Sequence, residues 1–327
     1  MPTAPAWPAA RLHVVTGKGG TGKTTVAAAL ALALADGGRR VLLVEVEERQ
    51  GIAQLFDTPP LPYEERRVAV ARGGGEVRAL AIDVEAALLE YLEMFYNLKR
   101  AGRALRRMGA MDFATAIAPG LRDVLLTGKI KEAVTRQVKG ARAYDAVIVD
   151  APPTGRIARF LSVTKHVGGL AKGGPIKTQS DGVMAVLRSS QTAIHIVTVL
   201  EDMPVQETAD AIAELRGVGL PVGSIIINMA GQPLLPVAAM PRAASGRLDA
   251  SAIAASLSGA GLDGPSLAEP LLLEAADHAQ GWQAQQACRA RIADLGRLTY
   301  ELPELQRPID TGSLYELADT LIQAGIR

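Results

Sequence analysis

One segment limits the fold of this chain more than any other: Gly17-Lys18-Gly19-Gly20-Thr21-Gly22-Lys23-Thr24. Just before it, Leu12-His13-Val14-Val15-Thr16 is β-branched and stops at a glycine, which reads as a short buried strand. Just after it, Thr24 to Ala35 is rich in alanine and leucine, a helix composition closed by Asp36-Gly37-Gly38. Val41-Leu42-Leu43-Val44 then reads as a second buried strand. Strand, glycine loop, helix and strand in this order form the context in which such a loop cradles phosphates.

The chemistry follows from the residue types. Glycines open φ values closed to other residues and let backbone N–H groups approach phosphate oxygens. The helix starting near Lys23 adds free N–H groups and the positive end of its dipole. Lys23 sets a cation against the β and γ phosphates, and the Thr24 hydroxyl is suited to a Mg²⁺ shell. Gly17, Gly19, Gly20, Thr21, Gly22, Lys23, Thr24 and Thr25 are therefore the candidate nucleotide contacts. A dinucleotide loop has no use for Lys23-Thr24. Lys18 is a second lysine in the same loop, able to fold back or to extend across a symmetric interface. The expected fold is α/β: a P-loop NTPase with a mostly parallel central β-sheet flanked by helices, plus a helical insertion.

A second acidic position supports this. Ala146-Val147-Ile148-Val149-Asp150 reads as a strand ending in an acid, followed by Ala151-Pro152-Pro153-Thr154-Gly155. An aspartate at a strand's carboxyl end beside a phosphate loop serves the metal, usually through water. The prolines stiffen the segment and Gly155 supplies a hinge, while Arg156 and Arg159 lie three apart on the helix expected next. After the second strand comes Glu45-Val46-Glu47-Glu48-Arg49-Gln50, where a carboxylate could orient the attacking water. If the strand continues, Glu45 and Glu47 share a face and Glu48 points away.

Bulk properties narrow the class. With 35 basic and 34 acidic residues in 327, the net charge is +1, so no protein-wide positive field favours nucleic acid. Cys288 stands alone, which excludes an internal disulfide or a two-cysteine metal motif and makes a reducing compartment natural. No apolar run reaches the roughly 18 to 20 residues of a membrane helix. Residues 1–10, with their prolines and no basic leader, read as a flexible tail rather than a secretory signal.

The loop Gly17 to Thr25, together with Asp150-Ala151-Pro152-Pro153-Thr154-Gly155, resembles the arsenical-pump and tail-anchored-protein-targeting ATPase family of deviant P-loop ATPases. The resemblance runs from residue 12 to about 230 and resumes near the C-terminus. It is closest to an actinobacterial, anion-transporting-ATPase-like branch whose members often occur in pairs. It implies ATP and Mg²⁺ as ligands, a cytoplasmic protein, and a nucleotide-sandwich dimer, either a homodimer or a heterodimer with a paralogous ATPase subunit. A protein client fits the family too, with nucleic acid not favoured and membrane association peripheral at most. By resemblance, Lys18 is the lysine that reaches the facing subunit's nucleotide, Asp150 the metal-proximal acid, and Asn228, ending Ser224-Ile225-Ile226-Ile227-Asn228, an adenine contact. Pro303, after Leu298-Thr299-Tyr300-Glu301-Leu302, is placed at the loop that brackets adenine. Glu47 falls where the family carries a water-positioning aspartate, and its extra methylene shifts the carboxylate by about a bond length. Arg156 replaces a histidine of eukaryotic members, and the paired cysteines of a dimer-bridging zinc are missing.

The reading gives one domain over 11–327, with helical subdomain material at about 84–140 and 161–190. Glu85 to Tyr96, Asn97 to Met108 and Leu121 to Val138 read as helices, and Lys99, Arg103 and Arg106 share a face opposite Phe95, Leu98 and Leu105. Met94, Met108 and Met111 suit either core filling or an adaptable groove. Residues 231 to 290 read as several short helices divided by Gly, Pro and Ser, and Leu314 to Ile322 as a helix packed on the core. His13, His166, His195 and His278 are too scattered to suggest a metal site. The combined expectation is a Mg²⁺-dependent ATPase with Lys18, Lys23 and Glu47 catalytic and Thr24 and Asp150 on the metal. A DNA-partition or cell-positioning ATPase, or a weakly hydrolysing nucleotide-binding regulatory subunit, are the alternatives.

Overall fold

The computed structural model describes residue 7 and residues 9–96, 120–170 and 175–326. Strand β1 (Leu12–Gly17) leads through the glycine loop into α1 (Lys23–Ala35), β2 (Arg40–Glu45) and α2 (Gly51–Leu55). A hairpin of β3 (Arg66–Val70) and β4 (Glu76–Ala81) precedes α3 (Val84–Tyr96). Then come α4 (Leu121–Thr135), the short pair β5 (Gln137–Val138) and β6 (Ala141–Arg142), β7 (Ala146–Asp150), α5 (Thr154–Leu170) and α6 (Pro175–Arg188). The remainder is β8 (Thr192–Thr198), α7 (Asp202–Gly217), β9 (Val222–Ala230), α8 (Met240–Ala244), α9 (Ala250–Gly259), α10 (Gly264–Asp294), β10 (Thr299–Pro303) and α11 (Thr311–Gln323).

Eight strands form one sheet in the order β10-β9-β8-β1-β7-β2-β4-β3. All neighbours are parallel except the β3–β4 edge pair. The α/β fold with a mostly parallel sheet flanked by helices is thus the one the glycine loop led us to expect. β1 is buried along its whole length between β7 and β8, so its apolar run is continuous rather than alternating. Because β7 lies between β1 and β2, the chain reverses its strand order beside β1. That reversal opens a crevice at the carboxyl ends of the strands. In register, Asp150 of β7 stands beside Val15 on one side and Glu45 on the other.

Helix α1 is apolar all round because it is covered all round: Val26 to Ala35 are buried between the sheet and α11. Its alanines let the layers approach closely, and Leu314, Leu317 and Leu321 of α11 complete the cover. The Asp310 carboxylate caps α11 by accepting from the Ser313 N–H at 2.7 Å. The C-terminal helix therefore packs on the core, as its sequence suggested.

The region 231–295 departs from the expectation of several short helices: α10 runs unbroken through Pro270 and Gly281. A proline inside a helix loses one hydrogen bond and clashes with the preceding turn, at a cost of about 3 kcal/mol. Packing on α8 and α9 compensates. Ala268 and Ala279 are buried, and Gly264 lies so close to α9 that a Cβ would stand 2.0 Å from the Ala254 carbonyl oxygen. Likewise the helix expected to reach Val138 stops at Thr135, where β5 turns through Lys139 (φ 52) and Gly140 (φ 79) into β6. Lys99, Arg103, Arg106, Leu98, Leu105, Met108 and Met111 lie outside the described residues, as do the side chains of Met94, Phe95 and His166.

Candidate functional site

The crevice at the end of β1 is built by glycines at close approaches. Gly17 pairs with Val197 of β8, and a Cβ on it would come within 2.2 Å of the Val197 carbonyl oxygen. Gly22 caps α1 in the left-handed region (φ 80, ψ 28), where a Cβ would meet Asn228 Nδ2 at 2.3 Å. Between them Gly19 and Gly20 border open space, and Thr21 Oγ1 closes the turn by donating to the Lys18 carbonyl at 2.8 Å. Lys23, Thr24 and Thr25 form the first turn of α1, whose N–H groups have no partners in the helix itself.

Asp150 meets this turn from β7. Thr24 Oγ1 donates to Asp150 Oδ2 at 2.7 Å, while Oδ1 is buried without a partner. Burial pushes the Asp150 carboxyl up to about 6. The Thr24 hydrogen bond and the Lys23 charge oppose that rise, and Glu45 and Glu47 add to it. A hydroxyl and a carboxylate with one free, desolvated oxygen make a hard-oxygen donor pair of the kind Mg²⁺ takes, and the cation would hold the carboxylate ionised. The residues present therefore fit that ion.

The other nominated residues fall around the same crevice. Lys18 folds back onto its own chain, with Nζ 3.1 Å from Glu207 Oε1 on α7. Glu47 lies beyond the end of β2, its carboxylate 3.6 Å from Arg156 and 3.7 Å from Arg49. These three residues line a cavity of about 340 Å³ together with Arg122 and Asp123. Asn228 is buried, and its Nδ2 donates to the Thr21 carbonyl at 3.0 Å, so its amide is tied to the loop backbone. Pro303 ends β10 opposite Ala230, at the same carboxyl edge of the sheet.

With this geometry in place, comparison with known proteins is direct. A family model described as anion-transporting ATPase matches residues 10–189. The chain belongs to the anion-transporting ATPase family. The ATPase BagA of Mycobacterium tuberculosis is 58% identical to it, covering 98% of this chain and 96% of that protein. The ATPase GET3 of Kluyveromyces lactis is 26% identical over 65% of this chain and 70% of its own length. The arsenical pump-driving ATPase of Escherichia coli is also 26% identical, over 65% of this chain but only 38% of its own length. As a member of the anion-transporting ATPase family the chain binds and hydrolyses ATP. Among the described residues no helix is long and apolar enough to cross a membrane.

Three features of this ATPase were not legible beforehand. Glu207 carries no motif, yet both its oxygens are engaged, since Thr154 Oγ1 donates to Oε2 at 3.3 Å. Glu45 is a buried carboxylate, not a partner of Glu47 on a continued strand. β2 ends at Glu45, Glu48 and Gln50 take positive φ (55 and 56), and the alternation stops there. The Glu45 carboxylate accepts instead from the Gly51 and Ile52 N–H groups at 3.3 and 3.2 Å, anchoring the start of α2. Thr16 Oγ1 donates to the Pro152 carbonyl at 2.7 Å and ties β1 to the segment after β7.

Two of the scattered histidines meet as well. His13 Nδ1 lies 3.0 Å from His195 Nε2, the Ser224 N–H donates to His195 Nδ1, and His13 Nε2 reaches the Ala10 carbonyl at 3.0 Å. That pattern assigns both rings the neutral, Nε2-protonated tautomer and satisfies every ring nitrogen. Trp7, within the segment read as a tail, stacks on His195 with centroids 4.5 Å apart. The pair is core structure: among the described residues no group of three or more His, Cys, Asp or Glu could hold a metal.

Proposed function

We propose that this ATPase is Mg²⁺-dependent and works as a nucleotide-sandwich dimer, with hydrolysis opening and closing it on a protein client or partner subunit. The observation that carries the metal side is the Thr24–Asp150 contact, with Asp150 Oδ1 buried and free beside the phosphate loop. In this reading the loop N–H groups and Lys23 bind the phosphates, Thr24 and Asp150 hold Mg²⁺, Asn228 and Pro303 border the base, and Glu47 orients the attacking water. The ion supplies neutralisation of the charge that grows on the transferring phosphoryl group. Lys18 is the cation directed across the interface. Support for that role is its partial exposure at the loop and its single ion pair among the described residues, which a phosphate can outcompete. The subunits are a homodimer or a heterodimer with a paralogous ATPase chain, located in the cytoplasm where the ATP pool is.

The test is phosphate release by the purified protein, alone and with its natural partner subunit, with and without Mg²⁺. Turnover that needs Mg²⁺ and is lost in Lys23→Ala is expected; turnover unaffected by chelation removes the metal role. Glu47→Gln with full activity removes Glu47 from the catalytic set. Sedimentation with a non-hydrolysable ATP analogue and Mg²⁺ tests the dimer, which a monomer at all concentrations would exclude.

One observation favours a second reading, a weakly hydrolysing regulatory subunit: Glu47 is held between two arginines rather than free in the crevice. Nucleotide binding with undetectable turnover even beside the partner subunit would select it.

A further inference from the structure

Neighbouring strands bring α7 over the phosphate loop. β8 pairs with β1 up to Gly17 opposite Val197, and α7 starts at Asp202, so its second turn stands beside the residue after Gly17. Glu207 lies on that turn. One of its oxygens is 3.1 Å from Lys18 Nζ, and the other accepts from Thr154 Oγ1 at 3.3 Å. Thr154 is buried and is the first residue of α5, directly after the Asp150-to-Pro153 segment. A single carboxylate thus spans the glycine loop and the segment that leaves the metal side of the site.

We propose that Glu207 is a positioning residue: it parks Lys18 on its own chain in the absence of nucleotide and passes the departure of Lys18 to α5 through Thr154. The proposal rests on reading Lys18 as a phosphate-directed cation. The ammonium is a point charge on a flexible stem, so it can leave a monovalent carboxylate for a polyphosphate of higher charge. Both partners are about two-thirds covered, with side-chain exposures of 32% and 35%, which makes the ion pair weak enough to exchange yet stronger than a fully solvated one. Once Lys18 leaves, the Thr154 hydrogen bond is the one contact among the described residues that still offsets the Glu207 charge. The balance of forces at the start of α5 then changes with the position of Lys18.

The experiment is a double-mutant cycle on the full chain, measuring the affinity of a fluorescent ATP analogue with Mg²⁺ and the kcat and KM of phosphate release. Glu207→Gln keeps the shape and an acceptor for Thr154 but removes the competing charge. It is expected to tighten nucleotide binding about three-fold, in line with an ion pair about one-third exposed. In the Lys18→Ala background the same substitution is expected to change nothing. Equal effects of Glu207→Gln in both backgrounds, or no effect in either, overturn the proposal, because a merely structural role acts without regard to Lys18. If Lys18→Ala alone alters turnover while Glu207→Gln matches the wild type, the proposal falls and the reading of Lys18 stands. If Lys18→Ala changes neither affinity nor turnover, both fall.

Discussion

Gly22 adjoins the bond by which Thr21 of the phosphate loop and Asn228, 207 residues further on, hold each other, and replacing it by alanine separates two costs. The first is conformational: at φ 80 and ψ 28 an L-residue is in the left-handed region, which costs about 1 to 2 kcal/mol. The second is steric: the new Cβ would lie 2.3 Å from Asn228 Nδ2, a distance no side chain tolerates, so the Asn228 amide must move. That breaks its 3.0 Å bond to the Thr21 carbonyl and leaves buried polar groups unpaired, worth about 1 to 3 kcal/mol. The expected total for Gly22→Ala is about 3 kcal/mol. Asn228→Ala alone removes only the hydrogen bond. In that background Gly22→Ala retains the conformational cost and loses the steric one, so the two substitutions couple by about 1 to 2 kcal/mol. Urea unfolding of the wild type, both single variants and the double variant measures this, with nucleotide affinity as a second readout. Equal costs of Gly22→Ala in the two backgrounds, to within about 0.5 kcal/mol, would refute the argument that Asn228 is what forces glycine at this position.

Four further outcomes are expected. Asp150 has its carboxyl raised to about 6 by burial, so the native state retains a proton that the unfolded chain has already released. In metal-free protein its contribution to stability is present below the ordinary carboxylate range and is lost as pH rises through about 6, a loss of about 3 kcal/mol. Asp150→Asn removes that loss, so the difference in urea-measured stability between variant and wild type grows from pH 4 to 7, and a constant difference would contradict the burial argument. Mg²⁺ needs the ionised carboxylate, so Mg²⁺-dependent nucleotide affinity falls below about pH 6. The histidine pair acts in the opposite sense, because burial lowers His13 to about 4 and His195 well below its ordinary value. Its contribution is present above the unfolded value near 6.5 and is lost as pH falls toward 4, by about 3 kcal/mol for His13. Imidazole NMR at pH 6 is expected to show both rings neutral and protonated on Nε2, and a charged ring would contradict the tautomer assignment. Finally, Arg156→Ala releases Glu47 from a contact at 3.6 Å and is expected to change kcat by up to about five-fold, with KM little affected. An unchanged kcat in that variant separates Arg156 from the chemistry.

Local pattern was enough for the elements that carry the phosphate site. The β-branched run of β1, the glycines, the alanine-rich α1 and the apolar strand ending at Asp150 each follow from steric and hydrophobic rules acting within a few residues. Their order along the chain also led to a parallel sheet, since right-handed crossovers leave few alternatives. The edge hairpin escaped because β3 is a short, partly exposed strand that opens on Arg66 and Arg67, so no apolar run marks it, although β4 beside β2 is largely buried. The single long α10 escaped because Pro270 and Gly281 read as breaks, and the packing against α8 and α9 that overrides them is not local.

What the fold alone decided is which charges face which. Lys18 against Glu207, Glu47 against Arg156, and His13 against His195 join residues far apart in the chain, whose pairing depends on strand order. A charged side chain reads locally as solvated, because water is its cheapest partner until burial removes it. Once β8 lies beside β1, water is displaced from the histidine pair and in part from Lys18 and Glu207, and each of these groups takes the partner that the packed layers leave within reach.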